Sequence, residues 1–379
     1  MHPTRLMVGL VLALGLAAGS VSCGGSDGGD PPLIQLTAYR GTQAPGDVWT
    51  YALGTTSFSA TNETLGYDYA GTLGNLDNGY LRLTVTTSND PDLAGQLPTA
   101  AYAVEVPGVA LVVKPADPDG NVIVCVAVGQ TPTTATTYNY VKFPDPDWGS
   151  GAGAIDDEEV WGRATSTISG AGGTTFDFWI EYWTMANTTA TPSKEEQAGE
   201  TFTATGGWLV PDAGDQRIGI TPPGLLVQDS GPQSGGAMGV AAPGSALGLD
   251  ALFTANREFL GFLFEYDTMD ENTEAIWASV DQGGDSISAG GFVTGTGDFD
   301  DAVPAAEQVR AELVSEMTNG VYRGILREKG PDDQFDTADD VERAMVLLAR
   351  VVANRYFLFG LVEPGDGGSL TSNVLLIEQ

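Results

Sequence analysis

Hydrophobic and polar positions alternate with a period of two along most of the chain. In residues 176–183 one face carries Phe176, Phe178, Ile180 and Tyr182, and the other carries Asp177, Trp179, Glu181 and Trp183. Leu81, Leu83 and Val85 alternate in the same way with Arg82, Thr84 and Thr86. These runs are short, rich in Val, Thr and aromatic residues, and bounded by Gly, Pro, Asn and Asp, which predicts many antiparallel strands. Helical spacing is scarce. Residues 305–317 place Val309, Leu313 and Met317 four apart, but the following Thr318-Asn319-Gly320 turn and Val321-Tyr322 favour a hairpin. Gly and Pro together make up 19% of the 379 residues, against about 12% in ordinary usage. The chain is therefore turn-rich, while 42% hydrophobic residues suffice for a packed core.

Self-comparison shows a repeat. Pro107-Gly108-Val109-Ala110-Leu111 matches Pro223-Gly224-Leu225-Leu226-Val227, with a weaker third copy at Gly324-Ile325-Leu326. Acidic or Gly-rich turns follow at 117–121, 229–232 and 330–333, then small apolar strands at 124–128, 238–241 and 345–349. Aromatic strands come next, at 138–143, 259–264 and 356–361. Gly108 to Gly224 and Trp161 to Trp277 are both offsets of 116 residues, and Gly224 to Gly324 is 100. The prediction is an all-β protein of three degenerate units, each of roughly 100–120 residues and large enough to hold its own core. Tandem sandwiches or small barrels fit this pattern, and a six-bladed propeller is the alternative. The expected divisions are 1–22, 23–32, 33–165, 166–281 and 282–379.

The first two of those divisions are not part of the body. Residues 1–22 contain no acid, His2 and Arg5 form a short basic start, and residues 6–18 are an unbroken apolar run. That is a secretory signal peptide, too short for a spanning helix of about 20 residues. Ser20-Val21-Ser22-Cys23 resembles the lipobox of bacterial envelope lipoproteins, with Ser20 standing where Leu is usual. The resemblance covers the first thirty or so residues. It implies that Cys23 is the lipid attachment site and that residues 23–32, rich in Gly, Ser, Asp and Pro, are a flexible tether. Gly24 after the cysteine resembles lipoproteins sorted to the outer membrane of Gram-negative bacteria. Ordinary cleavage after Ser20-Val21-Ser22 is the other reading of the same residues. Beyond the tether, the repeat blocks resemble those of β-rich bacterial surface proteins.

Composition then excludes several chemistries. His2 is the only histidine, so a chain cut after residue 22 has no His-dependent nucleophile and no His-ligated metal. Cys23 and Cys125 are the only cysteines. Cys125 sits in the apolar run 122–128 and reads as a small buried hydrophobe, although a bridge to an unlipidated Cys23 is open to it. Sixteen Lys+Arg against 50 Asp+Glu give a net charge of −34, which repels nucleic acid and favours cations.

The densest acidic segment is 328–342. Its stretch from Gly330 to Asp340 resembles a calcium-binding loop common in large secreted bacterial proteins. Asp332, Asp333, Asp336, Asp339 and Asp340 are the candidate calcium ligands, since hard cations take several carboxylate oxygens at short range. The spacing differs from an EF-hand loop, and a solvated acidic hairpin is the plainer alternative. The runs at 156–159, 267–271 and 298–301 are weaker versions of the same signal. Trp179, Trp183 and Trp208 are candidates for a sugar platform, against ordinary packing. The expected function is a lipid-anchored, non-enzymatic protein of the cell envelope, in the outer membrane, with a structural role or a glycan or envelope-protein partner. The rival is a secreted carbohydrate-active enzyme using Asp/Glu pairs.

Overall fold

A computed structural model describes residues 37–43, 47–115, 122–128, 134–143, 161–169, 175–185, 187, 189–197, 201–205, 208–211, 217–221, 224–229, 236–266, 271–295, 299–363 and 372–379. The signal peptide, Cys23 and the tether lie outside the described residues. Among those described, no helix is long and apolar enough to cross a membrane.

The strands close into three antiparallel barrels of eight. The first is β1 (Thr37–Gln43), β2 (Asp47–Leu53), β3 (Ser57–Asn62), β4 (Tyr67–Asn75), β5 (Leu81–Ser88), β6 (Thr99–Val106), β7 (Ala110–Lys114) and β8 (Ile123–Ala127). Each strand pairs with the next, and β8 returns to β1. At that seam Gly41 faces Cys125, and a Cβ on Gly41 would lie 1.9 Å from Val124 O. Only glycine allows so close an approach.

The second barrel uses β9 (Thr137–Phe143), β10 (Trp161–Ser169), β11 (Thr175–Trp183), β13 (Phe202–Thr205), β14 (Trp208–Pro211), β15 (Arg217–Thr221), β16 (Leu225–Asp229) and β17 (Gly236–Ala241). β17 returns to β9, and β12 (Lys194–Gln197) adds to β11 as an extra edge. The third uses β18 (Arg257–Tyr266), β19 (Glu271–Val280), β20 (Ser286–Thr294), β22 (Val309–Thr318), β23 (Val321–Glu328), β24 (Val341–Val352), β25 (Arg355–Val362) and β26 (Ser372–Glu378). β26 returns to β18, and β21 (Ala302–Pro304) extends β20. The fold is thus tandem small barrels rather than a propeller, and residues 309–328 form the expected hairpin.

The 116-residue offset has a structural meaning. Gly108, at φ +70°, and Gly224, at φ +113°, both lead into the seventh strand of their barrels. Trp161 and Trp277 both sit on second strands. The third copy is displaced. Gly324 lies inside the fifth strand of the last barrel, whereas the turn into its seventh strand is Ala353-Asn354, both at positive φ. Because the repeat is anchored on seventh strands, the divisions at 165/166 and 281/282 fall inside barrels, the first within β10.

The barrels share one apolar core through their outer walls. It joins Val112, Val124 and Val126 of the first barrel, Val141, Trp161, Trp183 and Val240 of the second, and Phe262, Val346, Phe359 and Ile377 of the third. Strands at this junction are buried on both faces, so they read as continuous apolar runs. In 122–128, Ile123 and Cys125 point into the first barrel while Val122, Val124 and Val126 face its neighbours. Polar pins cross the junction. The Tyr80 hydroxyl of the first barrel lies 2.7 Å from Gly261 O and 2.9 Å from Ile276 O of the third. Asn139 Nδ2 donates to Asn319 O at 2.8 Å, and Arg323 Nη1 donates to Asn187 O at 3.0 Å, tying the second barrel to the third.

Candidate functional site: the interior of the third barrel

Alternate side chains point inward along every strand, so what a barrel encloses depends on their sizes. The first barrel is filled by Tyr39, Trp49, Tyr51, Phe58 and Tyr69. Trp49 lies 5.9 Å from Tyr51 and 5.3 Å from Tyr69, ring centre to ring centre. The second is filled by Tyr138, Tyr140, Phe176, Phe178, Tyr182 and Phe202, with Phe178 edge-on to Phe202 at 5.4 Å.

The third barrel gathers its inner aromatics at one end. There the short 3-10 segment Leu249–Thr254 lays Leu252 and Phe253 beside Phe259, Tyr322 and Tyr356. Tyr322 and Tyr356 pin that segment by donating to Gly248 O and Ala251 O, each at 3.2 Å. Toward the other end the strands contribute Ala289, Gly291, Ala311 and Gly360, and a cavity of about 150 Å³ is left. Its walls include Leu263, Ile276, Met345, Leu358 and Val374, with no aromatic side chain.

The open end is polar, lined by Glu274, Gln308, Glu328, Arg343 and Ser372. Arg343 Nε lies 3.1 Å from Glu328 Oε1, within ion-pair range. The N–H does not point along that line, and Nε is a buried donor with no acceptor. Lys114 reaches across from the first barrel to Thr273 O. Burial lowers its pKa, opposed by the charge of Glu274.

The acidic segment 328–342 joins β23 to β24 at this same end. Phe335 holds it down, with the Arg310 guanidinium 4.3 Å and Lys329 Nζ 5.1 Å from its ring. Of the five predicted calcium ligands, three converge. Asp332 Oδ1, Asp339 Oδ1 and Asp340 Oδ1 lie 3.4, 2.8 and 3.1 Å from the Thr337 hydroxyl. Asp333 and Asp336 turn outward, to Lys329 at 3.4 Å and Arg310 at 3.3 Å. Against a desolvation cost, donors from Asp336 N–H and Thr337 hold the Asp340 carboxyl below the usual range. The turn's own donors thus occupy these carboxylates. Among the described residues no group of three or more His, Cys, Asp or Glu is arranged to hold a metal.

The other candidates scatter. Trp183 stacks on Trp161 at 4.7 Å in the common core, Trp208 is buried, and Trp179 is 42% exposed, so the three tryptophans do not form one exposed platform. Cys125 is a free, buried thiol whose pKa burial raises. Asp300 pairs with Arg82. The runs at 156–159 and 267–270, and Asp298, lie outside the described residues. Sequence reasoning missed the cavity because its cause is four small residues spread over three strands, β20, β22 and β25. The available signal was the aliphatic, Ala- and Gly-containing inner face of residues 287–291 and 309–311.

No protein-family model matches the sequence, and no curated protein sequence does. Among solved structures, similarity is found to isotype 1 transferrin binding protein B from serogroup B Neisseria meningitidis and to a double mutant of transferrin binding protein B from Haemophilus parasuis Hp5. Both are 9% identical at TM-score 0.27 and cover 88% of this chain, which spans 65% of theirs. At that TM-score nothing about ligand, partner or mechanism transfers.

Proposed function

We propose that the chain is an exported, lipid-anchored protein of the bacterial cell envelope, held at the outer membrane through Cys23, whose body binds a partner rather than carrying out catalysis. The observation that carries binding, rather than a spacer's role, is the third barrel. It keeps an apolar interior unfilled behind a polar mouth, whereas the described interiors of its two neighbours are lined by clusters of buried aromatic rings. Concave, mostly apolar sites with a few convergent polar groups are the usual form of a ligand site.

Two measurements test this. Palmitate labelling and fractionation should place the chain with membranes, and Cys23→Ala should release it to the soluble fraction. Native mass spectrometry and cross-linking in the envelope should then find a bound molecule, glycan or protein. Turnover of an envelope polysaccharide by the purified chain would instead establish the carbohydrate-active enzyme.

A calcium role for the 328–342 turn is a second reading, favoured by the three carboxylates around Thr337. Calcium at about 100 times its Kd would add roughly 2.7 kcal/mol of stability, read as a rise in Tm over EDTA. No rise would end that reading.

A further inference from the structure

We propose that the third barrel takes a small neutral molecule, apolar over most of its surface and carrying one hydrogen-bond acceptor such as a ketone or ester carbonyl. Arg343 is the donor that orients it. This rests on the reading of that barrel as a binding barrel, and it names the ligand class.

Size comes first. A dry cavity of about 150 Å³ lined by aliphatic side chains is large enough for a single benzene-sized ring, and the cavity here has that volume. A long acyl chain or a sugar does not fit inside it. The walls select next. From Leu263 and Ile276 through Met345 and Leu358 to Val374 they offer no hydrogen bonds, so the inner part of the ligand is hydrocarbon.

The mouth sets the head group. Arg343 Nε–H is a buried donor that makes no hydrogen bond, although Glu328 Oε1 lies 3.1 Å away, and a buried donor left so favours any ligand that brings an acceptor. A carbonyl oxygen entering with the ligand supplies one. A carboxylate head is disfavoured, because Glu274 lines the same end and the adjoining residues 328–342, Glu328 among them, carry seven carboxylates against Lys329. An ammonium head has no acceptor to offer Arg343 Nε, so it leaves that buried donor unpaired.

The test compares acetophenone, isopropylbenzene and benzoate, which have equal numbers of non-hydrogen atoms, by calorimetry and ligand-observed NMR on the whole chain. Acetophenone should bind tightest, isopropylbenzene about 10-fold more weakly for want of the hydrogen bond, and benzoate more weakly still. Ala289→Leu, which fills the cavity, should abolish binding of all three while Tm holds or rises. Arg343→Met combined with Glu328→Gln leaves no charge unpaired. It should erase the advantage of acetophenone and leave isopropylbenzene unchanged. Isopropylbenzene binding as well as acetophenone, or benzoate binding best, would overturn the ligand class and leave the binding barrel standing. No binding of any probe to the folded chain would overturn the binding barrel too.

Discussion

The second and third barrels have the same strand number, the same order and the same kind of closure, yet among the described residues aromatic rings crowd the interior of one and a cavity opens in the other. Six aromatic rings fill the second. In the third, the inner aromatics crowd one end over Leu252 and Phe253, and small residues leave the other end open. Strand number therefore determines only how much room a barrel can have, and side-chain volume decides whether the room is used. A hollow interior forgoes dispersion contacts and hydrophobic stabilisation, and the third barrel draws support from its outer wall, where Phe262, Phe359 and Ile377 enter the common core.

Mutations can break this contrast. Phe176→Ala empties a site that is fully buried in the second barrel and should cost about 3–5 kcal/mol in urea unfolding. A loss under 1 kcal/mol would mean that this barrel is not packed as described. Adding bulk should act with opposite sign in the two interiors. Ala164→Leu in the second barrel should cost about 1–3 kcal/mol through overpacking. Ala289→Leu in the third should be neutral or add up to about 1 kcal/mol. Equal destabilisation of the two variants would show that the third barrel has no spare room.

The smallest effect concerns the rim of the hollow end. The Glu307 carboxylate accepts from Ser288 Oγ at 2.6 Å and pairs with Arg310. Desolvation alone would raise its pKa, but these partners hold it below the usual range. Its contribution is therefore complete above the ordinary glutamate range and is lost as pH falls through the depressed value. Glu307→Gln should cost about 0.5–1 kcal/mol at pH 7, and the difference in Tm from the parent chain should vanish near pH 2. A difference that stays constant with pH would assign the effect to packing instead.

Much of this architecture could be read from residues alone. The alternation in 176–183 set Phe176, Phe178, Ile180 and Tyr182 on the inner wall, where they are found. It also set Trp183 on the outer face, which is outside its own barrel but buried against Trp161 in the shared core. Periodicity reports which residues share a face, and it cannot report whether a neighbouring barrel covers that face. The repeat was true for seventh, eighth, first and second strands and slipped by two strands in the third barrel. There a Gly inside β23 was matched to a Gly in a turn, because hairpin after hairpin looks alike in short windows. The hollow was hidden for a different reason. Ala289, Gly291, Ala311 and Gly360 lie on β20, β22 and β25, and only barrel closure brings them together. Of the acidic turn, the sequence showed the density of carboxylates but not the split between Asp332, Asp339 and Asp340 around Thr337 and the outward-turned Asp333 and Asp336.

The wall that the three barrels share also governs how the chain survives a cut. Residues 244–246, between the second and third barrels, are exposed and offer a protease a place to nick. Cleavage there severs one peptide bond and leaves the apolar junction, the Asn139 and Arg323 pins and the Tyr80 anchor in place. The two pieces should stay together as a complex, and when produced separately they should find one another and reassemble. In an envelope exposed to proteases, a body built this way can be broken in sequence without coming apart in space.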